Sequence, residues 1–198
     1  MARPGCGGVR PDTAGKSAAM NILATAVRFI DQLNEIIGRG IAWLTLAMVI
    51  IGFVVVVLRY VFSIGFVWLQ ESYVWLHGIT FMVGAGYTLL HDGHVRVDIF
   101  YRTASIRKKA LVDLFGSLVL LLPVLELVWV QAWPYVLDSW ARLEESREAG
   151  GLPGLFLLKS VILVFCITLG LQGLSLAGRS ILILVGRGDL VTDSGERL

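Results

Sequence analysis

Between residues 89 and 102 the chain reads LLHDGHVRVDIFYR, placing two histidines, two aspartates and two arginines within fourteen positions. His91, Asp92, His94 and Asp98 are residue types that ligate metals. Their spacing does not match a known ligand pattern, such as two histidines one helical turn apart with a glutamate between them. The other reading is a polar turn: Asp92-Gly93 stops a helix, and the basic run from Arg96 to Lys109 meets anionic headgroups.

Charged residues inside apolar runs are the second set of chemical candidates, because a charge in hydrocarbon is costly and is normally paired or functional. Glu126 lies deep in the third such run, while Arg59 closes the first, Glu71 opens the second and His77 follows about one and a half turns further in. The four are expected to meet in one polar cluster near the outer leaflet, either as an ion-pair network or as part of a proton or substrate path. Asp113 lies close enough to the inner headgroups to be solvated.

The elements that must hold these residues are membrane helices. The chain has 198 residues, 56% hydrophobic and 16% charged, with a mean hydropathy of +0.76, well above that of a soluble domain. Uncharged or nearly uncharged stretches at about 40–62, 70–90, 111–135 and 155–178 are each long enough to cross hydrocarbon, where only helices satisfy their own backbone. The expected fold is an all-α integral membrane protein of four transmembrane helices, preceded by an amphipathic helix from Asn21 to Gly38. That helix either lies along the membrane surface or extends the first span. No room remains for an extramembrane catalytic domain.

Residues 1–20 are rich in Gly, Pro and Ala and are expected to be disordered, with Met20 as an alternative start. No apolar core with a cleavage site follows within reach, so a signal peptide is not expected. Residues 21–186 form the membrane domain and 187–198 a cytoplasmic tail. With the N-terminus inside, thirteen of the 17 Lys and Arg residues fall on the cytoplasmic side, so both termini are placed there. Arg59, Arg142, Arg147 and Lys159 are left outside.

Several function classes are excluded or weakened. There is no basic, aromatic-interleaved surface for nucleic acid, and Cys6 and Cys166 lie in segments too different to suggest a bridge. Bis-histidine haem needs two histidines at membrane depth, and only His77 lies within a span. No cofactor and no metal site are expected. Trp43, Trp68, Trp133 and Trp140 fall near span ends, where indole rings favour the interface. Gly78, Gly84, Gly86, Gly170, Gly173 and Gly178 are expected to permit close helix contacts, within the chain or with a partner.

The entry helix, "VVVVLRYVF" (54–62), "VWLQESYVW" (67–75) and "GHVRVDIFY" (93–101), arranged on four spans in under 200 residues, resemble the small permease subunit of TRAP transporters. These are the tripartite ATP-independent periplasmic transporters. The resemblance implies a subunit of the bacterial inner membrane without catalysis of its own. A large permease subunit would bind substrate and sodium, and a periplasmic solute-binding protein would deliver the solute, commonly an organic acid. Arg59, Trp68, Glu71, Gly93, His94, Arg96, Asp98 and Glu126 are the structural or partner-contact candidates. The family usually places two acidic residues after the tryptophan; here they are Gln70-Glu71, so a role needing both carboxylates is not carried over. The competing reading is a small proton-coupled transporter acting alone, with Glu126 as its carrier.

Overall fold

The computed structural model describes residues 11–95 and 104–192. It is all-helical, with no strand among the described residues. Helix α1 (Pro11–Val61) has 51 residues, about 76 Å at 1.5 Å per residue. The amphipathic segment is therefore a direct extension of the first apolar run and not a separate interfacial helix. Residues 11–20, expected to be disordered, already belong to α1.

A short connection carrying Ser63 at φ 58° turns the chain into α2 (Val67–Leu90), which runs back along the second half of α1. At its end the His91 N–H donates to the Tyr87 carbonyl at 3.1 Å and the Gly93 N–H to that of Thr88 at 2.8 Å. Asp92 adopts φ 54°, a left-handed conformation that aspartate tolerates better than most residues. Asp92-Gly93 thus stops the helix, as expected, while satisfying its terminal carbonyls.

The third apolar run is one long helical rod in three pieces: α3 (Ile106–Phe115), a π-helical turn (Gly116–Leu121) and α4 (Leu122–Ala141). Pro123, at the start of α4, has no N–H to donate. Just before it, the Leu122 N–H reaches back five residues to the Ser117 carbonyl, so the wide turn absorbs the change of register. Helix α5 (Leu155–Leu184) is the hub of the bundle, touching α1, α2, α3 and α4. The single turn α6 (Asp189–Thr192) folds back so that Val191 joins Ala24, Val27 and Leu182 in a small core. A second core gathers Leu125, Cys166 and Leu169.

The rest of the packing is inverted relative to a soluble protein. Asn34, Ser117, Ser139, Thr168, Gln172, Ser175 and Ser180 are buried, while Phe53, Phe81, Phe115 and Leu127 are exposed. That distribution suits a lipid solvent, in which polar and small residues hold helices together and apolar ones face outward. Among the described residues, three helices are long and apolar enough to cross a membrane: Ser17–Val61, Ile106–Ala141 and Leu155–Leu184. Helix α2 is not among them.

Candidate functional site: polar ties between the helices

The largest polar assembly joins α1 to α5. The Arg179 guanidinium donates to Asp31 Oδ2 at 2.5 Å. The other carboxylate oxygen accepts from the Ser175 hydroxyl at 2.6 Å and from Gln172 Nε2 at 3.0 Å. Gln172 Oε1 in turn accepts from Asn34 Nδ2 at 2.8 Å. Asp31 and Asn34 lie three residues apart on α1, and Gln172, Ser175 and Arg179 lie at helical spacing on α5, so each set shares a face. Asn34 Oδ1 has no donor among the described residues. It lies over Gly86 of α2, where an added Cβ would come within 2.5 Å of it and 3.0 Å of the Thr168 carbonyl. Three helices converge at this point only because Gly86 has no side chain.

One turn further along, His91 Nε2 is 2.7 Å from Glu35 Oε2 and Arg39 Nε donates to Oε1 at 2.8 Å. The Tyr87 ring lies 4.4 Å from the His91 ring. His94 instead meets the Ala85 carbonyl at 3.3 Å. The two histidines of the opening motif thus take separate partners on different helices and do not converge on one point.

At the opposite end of the bundle Glu71 secures the 142–154 connection. Its Oε2 accepts from the Leu152 N–H at 2.6 Å, and Oε1 accepts from the Ser146 hydroxyl. Glu144 in the same connection pairs with Lys159 of α5 and accepts from the buried Ser139 hydroxyl at 2.7 Å. The Lys159 hydrogen bond, aided by that of Ser139, holds the Glu144 carboxyl below its ordinary value. Lys159 Nζ also lies 4.0 Å from the centre of the Tyr135 ring, a cation–π contact. A groove of about 510 Å³ opens beside this cluster, lined by Val74, Gly78, Leu158 and Ile162 with Arg147 and Lys159 at one end.

The expected meeting of Arg59, Glu71, His77 and Glu126 does not occur. Glu71 is occupied by the connection, and His77 is exposed and stacks on Phe81 at 6.5 Å. Arg59 and Glu126 are both exposed and take no ion-pair partner among the described residues. Helical phase explains this: on α4 the positions turned toward α5 are Leu125, Ala132, Val136 and Ser139, and Glu126 is one step round from that face. Trp68 is 47% exposed beside Phe66. Gly93 fits closely against Thr88. Arg96 and Asp98 lie outside the described residues.

The glycine contacts are selective. Gly86, Gly173 and Gly178 are tightly apposed to Asn34, Leu121 and Val27, whereas Gly84 faces open space. The Asp31 network was not anticipated. Its signal was nonetheless present: a glutamine, a serine and an arginine at helical spacing in an otherwise apolar helix mark an inward polar stripe.

These features define an all-helical membrane protein whose interior polar groups tie one helix to another. Residues 48–182 match the family model described as "Tripartite ATP-independent periplasmic transporters, DctQ component", and the chain belongs to that family. The match takes in most of α1's apolar half and all of α2, α3 and α4, with nearly all of α5. It is a family of transporter components and not of enzymes. No curated protein and no solved structure matches the chain.

Proposed function

We propose that the chain is the small membrane subunit of a TRAP-type secondary transporter. It scaffolds the large permease subunit during sodium-gradient-driven uptake of an organic acid that a periplasmic solute-binding protein delivers. The observation that carries this reading is the family match over 48–182, which covers α2, α3, α4 and nearly all of α5. The position of Glu126 supports it against a transporter acting alone. A proton carrier needs a path through the bundle, and this carboxylate is on the outside.

In this reading four helices cross the bacterial inner membrane with both termini in the cytoplasm. Helix α2 is the fourth: 24 residues give about 36 Å, more than the roughly 30 Å of hydrocarbon. Its strongest polar pair, Gln70-Glu71, is confined to one end. The excess of Lys and Arg on the terminal side supports the orientation. The test is uptake of labelled organic acids by cells that keep the large subunit and the binding protein but lack this chain. Uptake is expected to vanish, to return with the chain, and to require sodium. Solute transport by the purified chain alone in vesicles would overturn the proposal.

A further inference from the structure

Glu126 is midway between Asp113 and Asp138 along one continuous helical rod, about 18 Å from either by helical rise. It is at the centre of a span, exposed, and without a hydrogen-bond or ion-pair partner among the described residues. Its neighbours on the outer side of α4 are apolar: Leu127 is 62% exposed, Val130 59% and Trp133 45%. Gln131, also exposed and without a partner there, borders the same strip on its other side. Pro134 adds a third polar demand, because it has no N–H to give the carbonyl of Val130 four residues earlier.

A carboxylate, an amide and a freed carbonyl on a single face are poorly suited to acyl chains, where each unmet polar group is costly. They suit a second helix that brings a donor to the same depth. A second copy of this chain supplies no lysine or arginine there, since those residues flank its apolar runs: Arg59, Lys109 and Lys159. We propose that the face of α4 bearing Glu126, Val130 and Gln131 is the surface that docks on the large permease subunit. A membrane helix of that subunit presents an arginine or lysine opposite Glu126. The inference rests on the subunit reading above and adds to it the surface and its chemistry.

The experiment co-expresses the chain with the large permease subunit of the same organism, purifies the pair, and forms cysteine crosslinks in membranes. Crosslinks to the large subunit are expected from Val130→Cys and not from Phe53→Cys on the exposed side of α1. Glu126→Leu is expected to lower recovery of the large subunit at least about tenfold, the loss typical of a buried charge left unpaired. The same substitution should raise the melting temperature of the chain purified alone, because it removes a charge from a lipid-facing surface. Unchanged recovery with Glu126→Leu, crosslinks from Phe53→Cys only, or crosslinks of Val130→Cys to a second copy of the chain in place of the large subunit would each overturn the docking face while leaving the subunit reading intact. Failure of the unmutated pair to co-purify would overturn the subunit reading itself.

Discussion

Asp31 on α1 and Arg179 on α5 are 148 positions apart in sequence and joined by a 2.5 Å hydrogen bond. The side chains are largely covered, 16% and 31% exposed. Loss of either leaves the other partly desolvated and unpaired. Asp31→Leu, which also strips acceptors from Ser175 and Gln172, is expected to cost about 2 to 4 kcal/mol. Asp31→Asn, keeping one acceptor, should cost less. Thermal melting in detergent, read by tryptophan fluorescence or size-exclusion recovery, gives the order; equal loss for both variants would mean that the network contributes nothing through Asp31's hydrogen bonds.

Gly86 and Gly84 are two residues apart on α2, yet only the first is wedged between helices. Gly86→Ala places a methyl group against Asn34 Oδ1, whose amide is held by Gln172, and against the Thr168 backbone, which cannot swing aside. A destabilisation of about 1 to 3 kcal/mol is expected from such overpacking. Gly84→Ala meets nothing within 4 Å and should be neutral or slightly stabilising through helix propensity. Similar melting shifts for the pair would contradict the close approach of α1, α2 and α5 at Gly86.

Glu71 holds the 142–154 connection through the Ser146 hydroxyl and the Leu152 N–H. Glu71→Ala removes both acceptors and leaves that N–H part-buried without a partner, a loss of about 1 to 3 kcal/mol. The connection should become a protease target while the helices persist. Limited proteolysis followed by mass mapping is the check: cleavage within 142–154 is expected in the variant, and an unaltered digestion pattern would show that Glu71 is dispensable there.

The Glu144 carboxyl has its pKa lowered in the folded state by Lys159 and Ser139. A depressed folded value means that the contribution to stability is present above the ordinary carboxylate value of 4.5. It is lost as pH falls through the lower folded value. Melting temperatures measured from pH 7 down to about pH 3 should therefore decline at the acid end. The decline should be shallower for Glu144→Gln, which has no charge to lose. An identical acid profile in that variant would assign the decline to other carboxylates.

The orientation can be tested by labelling. A cysteine introduced at Ser146 is expected to react with an impermeant reagent from outside intact spheroplasts, and one at Ser105 only after permeabilisation. The reverse pattern would invert the topology and place the Glu71 connection in the cytoplasm.

The apolar runs were legible in the sequence because lipid imposes a one-dimensional rule: about 20 apolar residues per crossing, whatever they touch. The Asp92-Gly93 stop was legible for a similarly local reason, since both residue types break helices through their own backbone preferences. The family resemblance also rested on contiguous motifs, "VWLQESYVW" among them, that survive without knowledge of the fold.

Side-chain partnerships were not legible, because they depend on helical phase and on which helices become neighbours. Arg59, Glu71 and Glu126 have similar expected depths, but depth is only one coordinate. The rotation of α4 turned Glu126 outward, and the 142–154 connection claimed Glu71 before Arg59 reached it. Conversely, nothing local marks Asp31: its partners on α5 follow from α1 continuing unbroken past the end of α2, which brings it against Gln172, Ser175 and Arg179. The sequence determined that helices form and, at Asp92-Gly93, where one of them stops; it did not determine their full lengths, since α1 begins at Pro11, the third rod runs from Ile106 to Ala141 and α5 continues to Leu184. The tertiary structure decided which polar faces meet, because that choice is made by the close approach of Gly86 to the Thr168 backbone and by the packing of Gly173 and Gly178 against Leu121 and Val27, and by nothing local to the charges themselves.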